Sequence, residues 1–394
     1  MKILIFGWLI LLTNFCIQPE PITPSGITDA IVTVEKKFAP DKRTVIFKAV
    51  PHLSQGHWVI SGESNDPKAK LALLTALKSF SIIDSIELLP SKTLHNKIYG
   101  IVNIPVANMR SATGHNSELS NQALCGTLVR IYKSYNGWYY CQTPDDYLGW
   151  IDEGAIQPMD SSEINAWTRK RKVIVTSDQS YVVQAPSSGS NVVSPLSVGA
   201  ILPAGALNRG FYPVVFADGR KGFVPANNVM DLSLWKKQQA QTLSTDGVIK
   251  SAYSFLGRPY LWGGTSGNGM DCSGFTKMVF FEHGLLLPRD ASQQVKVGLA
   301  VETDSTLKNL IPGDFLFFGR KAGNNLPEKV THVAIYVGDG KIIHATGFIQ
   351  EQSLRRGDST FVEHRLHSLL RATRPLAAPK EHGIFALADL KYYD

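Results

Sequence analysis

The chain has 394 residues, 44% of them hydrophobic and 19% charged, with 33 glycines, 21 prolines and four cysteines. This globular composition excludes wholesale disorder, a collagen-like chain and a multi-span membrane protein, and at ~150 residues per domain the length excludes a single small module. The net charge of +7 is a mild basic excess; the cluster Arg169 to Lys172 lacks the interleaved aromatics of a nucleic-acid surface, so no nucleic-acid partner is expected.

At the amino terminus Lys2 precedes an apolar run from Ile3 to Leu12, and polar, proline-bearing sequence follows (Pro19, Pro21, Pro24). The run is too short to span a bilayer, and its charged start and proline-rich exit predict a signal peptide over residues 1–20 with export to the periplasm or cell envelope. Cys16 stands where a lipid-bearing cysteine would follow cleavage, yet Phe15 is bulky where that processing takes a small residue. Anchored and free forms both stay open, and a lipid on Cys16 is the expected route to any membrane.

Residues 25–98 predict a small α+β unit. ITDAIVTVE and RTVIFKAV alternate as strands, Leu71, Leu74, Leu77 and Phe80 share one face of a helix over Lys68–Ser81, and SIELL returns to strand. The order loosely resembles the non-catalytic BON-type folds, which implies packing or docking.

Short strands punctuated by Gly, Pro and Asn occupy residues 100–160 and again 173–232. The first copy has a hairpin signal at Asn136-Gly137 and a closing Gly149-Trp150-Ile151 strand; the second repeats this with Asp218-Gly219 and Gly222-Phe223-Val224. Both resemble bacterial SH3 (SH3b) modules. Cys125 and Cys141 fall in the first, where the turn register sets Cys141 opposite Tyr132, so two free buried thiols are expected. The polar stretch Ser161–Lys172 reads as a solvated connector, and a second connector over 234–247 leads to a helix capped by Ser244 or Thr245.

Chemistry concentrates in residues 240–380. Cys272 follows the glycine-rich GRPYLWGGTSGNGMD and opens an apolar helix with Asp271 as its N-cap. A thiol in a first helical turn faces free backbone amides and the positive end of the helix dipole, which favours thiolate. The base is sought in THVAIYVGDGKIIHATG: a three-residue loop Gly338–Gly340, with Gly340 in a left-handed bulge position, pairs His332 with Thr346 and makes His344 its same-face diagonal neighbour. His332 is then expected to take the thiol proton and His344 to orient His332. One Cys and two His lack the fourth ligand of a metal site, and no cofactor is expected.

The runs GRPYLWGG, DCSGF, LPRDASQQ, PGDFLFF, HVAIYVG and IIHA, in that order, resemble the NlpC (p-sixty) family of bacterial cell-wall cysteine peptidases. The resemblance implies a papain-like α+β domain with Cys272 as nucleophile, His332 as base, His344 as third residue and Tyr260 lining the site. Members carrying two SH3b modules are similar to endopeptidases that cut between γ-D-glutamate and a diamino acid in murein stem peptides, often beside a free amino-terminal L-alanine. Positions matching the groups that hold the free ammonium are Asp271, Ser273, Glu118, Tyr147 and Ser292. The expected partners are murein peptides or peptidoglycan fragments, met by a monomer. Two other functions fit the same residues: a wall-binding protein with an inert peptidase domain, and an amidase or acyltransferase on the same fold.

Overall fold

The computed structural model describes residues 23–323, 325–377 and 383–390; the signal segment and Cys16 lie outside them. The described chain forms two units, the first running to Pro40 and over Phe47–Glu87, the second comprising Asp41–Ile46 and everything from Leu88 onward.

In the first unit, α1 (Ser25–Phe38) replaces the strand expected from ITDAIVTVE. Its β-branched composition suggests strand, but Ile27, Ile31 and Val34 at i, i+4 and i+7 form the buried stripe of a helix. β1 (Phe47–Ser54) and β2 (His57–Ser64) make a hairpin on Gln55-Gly56, both with positive φ. The helix α2 (Pro67–Ala76) follows, capped by Asp66 and shorter than expected, and β3 (Ile82–Leu88) completes a sheet ordered β1-β2-β3.

The second unit begins with β4 (Tyr99–Val102), β5 (Val106–Arg110), β6 (Leu119–Leu124), β7 (Leu128–Tyr135), β8 (Trp138–Gln142), β9 (Leu148–Asp152) and β10 (Ile156–Met159). They form one antiparallel sheet, ordered β10-β4-β7-β8-β9-β5-β6. Asn136 and Gly137 supply the positive φ values, 48° and 78°, that a two-residue turn requires. A bulge at Tyr132 then sets Cys141 opposite Ile131, one place from the expected register. Cys125 and Cys141 are free and buried in different cores: Cys141 packs with Met109 and Ile151, Cys125 with Val173 and Phe216 of the following module.

The stretch after β10 is no solvated connector. Asp160 and Glu163 form a capping box that opens α3 (Ser161–Thr168), and Ile164 and Trp167 are buried. β11 (Lys172–Val175), β14 (Ile201–Pro203) and β17 (Val229–Asp231) pair in one sheet. β12 (Ser180–Val183), β13 (Val192–Leu196), β15 (Phe211–Val215) and β16 (Lys221–Pro225) form another. The last β15–β16 pair is Val215 with Lys221, so the loop spans five residues with Gly219 left-handed, where a two-residue Asp218-Gly219 turn was expected. The second connector is also helical: Asp231 caps α4 (Leu232–Thr242), whose Trp235 packs 6.1 Å from the Phe281 ring. Ser244 caps α5 (Thr245–Ser254) by accepting from the Gly247 amide.

The remaining elements frame the cysteine. β18 (Thr265–Ser266) and β19 (Gly269–Met270) lead into α6 (Cys272–Phe281), followed by β20 (Leu285–Leu286) and α7 (Ala291–Gln294). β21 (Leu299–Val301), β22 (Phe315–Arg320), β23 (Lys329–Gly338), β24 (Lys341–Thr346), β25 (Phe348–Ser353), α8 (Glu363–His367) and β26 (Leu369–Arg374) complete the unit's main body. The main sheet is antiparallel in the order β21-β26-β22-β23-β24-β25. Every residue of α6 is buried, its polar Ser273, Thr276 and Lys277 included, and Phe275 and Phe280 meet Phe255 and Phe315 edge-on. At about 1.5–3 kcal/mol for each buried large side chain, this packing fixes α6, and with it Cys272, against the sheet.

The first β-module is attached directly to this helix. Lys277 of α6 makes a buried ion pair with Asp145, and Thr265 donates its amide to Gln122 and its hydroxyl to Asn121, both at 3.0 Å. Gly263 runs so close to β6 that a Cβ would lie 2.2 Å from the Leu119 carbonyl oxygen, and its φ is +75°. Only glycine meets both demands.

Candidate active site

Cys272 is the first residue of α6 and is 7% exposed. Asp271 caps the helix through Oδ1, which accepts from the Gly274 amide at 2.7 Å, the Ser273 hydroxyl and Arg289 Nη1. Its Oδ2 accepts from the Gly263 amide at 3.0 Å and Arg289 Nη2 at 2.6 Å. The Arg289 side chain is buried, and the pair ties the loop before the cysteine to the segment before α7.

β23 delivers His332 beside this helix start, and the amide of Val333, next in the strand, meets the Cys272 sulfur. Pairs Ile335–Ile343 and Tyr336–Ile342, extended along the strands, set Thr346 opposite His332. That register is the expected one, but the device differs. Asp339 and Gly340 form a two-residue turn closed by Gly338 and Lys341, with the bulge at Val337 on the preceding strand. Both histidines share a face, and His332 Nε2 lies 2.8 Å from His344 Nδ1. His344 Nε2 in turn lies 2.7 Å from Gln352 Oε1 of β25.

Burial dominates the electrostatics, contrary to the thiolate expected at a helix start. It pushes the Cys272 thiol up to about 11, with Asp271 adding to the rise and the Val333 and Ser273 amides opposing it. Burial also holds His332 well below its ordinary value, helped by Arg365, His344 and His364, and lowers His344 to about 4. Thiol and neutral imidazole are therefore the resting forms at neutral pH. Iodoacetamide labelling of Cys272 is expected to stay slow near pH 7 and to climb through about pH 10; a rate already level by about pH 7 would mark a preformed thiolate.

A cleft of about 420 Å³ opens in front of Cys272. It gathers Asp271, Ser273, Tyr260 and Ser292 with Glu118 and Tyr147 from the first module, so the substrate-binding candidates converge on one space. Their states differ. Glu118 Oε1 accepts from Trp262 Nε1 at 2.8 Å at the rim, Tyr147 donates to Asp290 Oδ2 at 3.3 Å, and burial keeps the Tyr260 phenol neutral. Asp271, expected to hold a substrate ammonium, is already saturated by Arg289, Ser273 and two backbone amides. Its structural work leaves no lone pair for that task.

A further carboxylate lining the cleft is Asp290, which stands two residues before Ser292 in LPRDASQQ and carries no sequence expectation of its own. Its partner is Arg43, whose Nη1 donates to Asp290 Oδ2 at 2.7 Å and Ser292 Oγ at 2.9 Å, while Asp41 holds the rest of the guanidinium. Arg43 is 247 positions away in sequence, with no local pattern to mark it. Arg365 is the other unforeseen group, a half-buried cation acting on Cys272, Tyr260 and both histidines. Among the described residues no cluster of three or more His, Cys, Asp or Glu is arranged to hold a metal.

Residues 257–371 match the NlpC/P60 family, and residues 109–156 match the family described as bacterial dipeptidyl-peptidase Sh3 domain. A gamma-D-glutamyl-L-lysine dipeptidyl-peptidase of Bacillus cereus is 32% identical over 238 residues, 58% of this chain and 68% of that protein. An enzyme of the same name from Bacillus subtilis is 32% identical over 235 residues, covering 58% of this chain and 72% of its own length. In fold, a crystal structure of an NlpC/P60 family protein from Bacillus cereus aligns over 71% of this chain and 99% of that one, with TM-score 0.58 and 24% identity. An NlpC/P60 endopeptidase from Photobacterium damselae covers 91% of this chain and 94% of its own, with TM-score 0.55 and 16% identity. With that match and those relatives, a cysteine at a helix start and an attached SH3 module, the chain belongs to the NlpC/P60 family of cysteine peptidases.

Proposed function

We propose that the protein hydrolyses the bond between γ-D-glutamate and a diamino acid in murein stem peptides bearing a free amino-terminal L-alanine, in cell-wall turnover within the cell envelope. The names of the two Bacillus relatives support the bond, and the carrying observation is that Glu118, Tyr147 and Asp290 line the same cleft as Cys272. A substrate ammonium leaves water only for carboxylates and hydrogen-bond acceptors, and this lining supplies them. An acylated alanine, as in uncleaved glycan stems, would leave those acceptors unpaired, and sites built to bond a polar group reject the analogue without it by large factors.

In the reaction, Cys272 Sγ attacks the γ-carbonyl carbon while its proton passes to His332 Nδ1, the ring nitrogen turned away from His344. Collapse of the adduct expels the amine of the diamino acid, which takes that proton. Water then cleaves the thioester, releasing L-Ala-D-Glu with a free γ-carboxylate and restoring the thiol. Tyr260, Ser273 and Ser292 line the same cleft as Cys272.

The test compares tripeptides with free and acetylated amino-terminal alanine. Acetylation is expected to lower kcat/KM by about 100-fold or more, and Glu118→Gln to shrink that ratio chiefly through KM with the free peptide. Equal rates on the two peptides would refute the ammonium site without touching the peptidase assignment.

A further inference from the structure

A neutral imidazole carries one N–H, so a chain of two imidazoles has its proton positions set by whatever terminates it. Here the terminus is the side-chain oxygen of Gln352, on β25 opposite Ile342 of β24. An amide oxygen only accepts. The 2.7 Å contact therefore puts the His344 hydrogen on Nε2 and leaves His344 Nδ1 with a lone pair. Across the 2.8 Å contact His332 then donates from Nε2, which leaves the lone pair of His332 on Nδ1. With the amide reversed, Gln352 would donate and every hydrogen in the chain would flip. His332 would then present N–H where it must accept a proton.

We propose that Gln352 is a positioning residue for the peptidase reaction, fixing the tautomers of His344 and His332 so that the base nitrogen is vacant in the resting enzyme. The inference rests on the assignment of Cys272 and His332 as nucleophile and base. Nothing in HVAIYVG or IIHA marks Gln352; it lies eight positions past His344, and the β24–β25 hairpin brings it back alongside. The titratable groups acting on the pair from outside it are Arg365 and His364, both on α8. A carboxylate at the end of the relay is absent from these influences, so the relay is terminated by a neutral acceptor. Gln352 thus supplies the directionality of an acidic third partner without the charge that would draw a proton onto the rings.

Three measurements on the full chain test this. First, nitrogen-15 histidine spectra of the resting protein are expected to show His332 and His344 both as Nε2–H tautomers; His332 protonated on Nδ1 would overturn the proposal without any substrate. Second, Gln352→Leu is expected to lower kcat by about 10- to 100-fold with KM little changed, and to mix the His344 tautomers. Third, Gln352→Glu retains an acceptor and is expected to keep kcat within about threefold at its optimum, while the acid limb of the pH profile moves up by about one unit or more, because the carboxylate stabilises imidazolium. A Leu variant with the parent kcat and tautomers, or a Glu variant whose acid limb does not move, overturns the assignment. Turnover surviving in Cys272→Ala would instead remove the nucleophile assignment, and the resting tautomers are read independently of it.

Discussion

Cys272→Ala is expected to reduce hydrolysis of L-Ala-γ-D-Glu-diamino acid peptides by at least about 10⁴-fold in kcat, with substrate affinity retained. In the proposed reaction the sulfur is the attacking atom, while the neighbouring Ser273 hydroxyl is engaged by Asp271 and Arg289. The substitution is nearly isosteric and gives up only the weak contacts of the sulfur with the Val333 and Ser273 amides, so thermal stability should stay within about 1 kcal/mol of the parent. Peptide binding by calorimetry and a thermal melt separate lost chemistry from lost structure. Turnover within about tenfold of the parent would reassign the active residue altogether and favour the wall-binding or acyl-transfer alternatives.

The second large effect belongs to a residue that touches no substrate atom. Arg289→Leu leaves the Asp271 carboxylate, 8% exposed, without its cation but still committed to the helix cap. Breaking a buried pair from one side costs about 3–5 kcal/mol, so the melting temperature should fall by about 10 °C and kcat should fall with it as the α6 start loosens. Adding Asp271→Asn to Arg289→Leu removes the stranded charge and should recover part of the stability, leaving a coupling energy above about 1 kcal/mol in the double-mutant cycle. Additive effects would mean that the two residues act separately.

How far these features can be read from the chain depends on how local their causes are. The helix that begins at Cys272 announces itself because cap, glycine loop and apolar periodicity are contiguous around Asp271-Cys272. The meeting of His332 and His344 is also legible, since a β-hairpin converts a spacing of twelve into a shared face once one extra residue is admitted. Its position is not: a bulge at Val337 and a bulge at Gly340 give the same register, and only packing chooses between them. Helix is not legible at Ile27–Val34, because Ile and Val suit strands until tertiary burial selects the 3.6-residue stripe. Nor is it legible at Ser161–Thr168, where the surrounding charge conceals Ile164 and Trp167. Asp271 shows a different limit. A carboxylate beside a nucleophile reads equally as a ligand for substrate or for a neighbour, and Arg289, 18 positions on, decides the matter through geometry that no spacing rule encodes.

The segment Asp41–Ile46 has a consequence for how such chains can be cut and recombined. In sequence it interrupts the amino-terminal unit, yet its contacts belong to the peptidase body: the Leu148 amide donates to the Arg43 carbonyl at 2.7 Å, Gln142 to the Thr44 carbonyl at 2.8 Å, and the Arg43 guanidinium closes on Asp290. The unit on either side is therefore not a freely exchangeable cassette. A swap or truncation placed at the apparent domain border near residue 98 would carry away a wall of the substrate cleft, so any shuffling of this architecture that keeps specificity must inherit the six-residue strap along with the catalytic half.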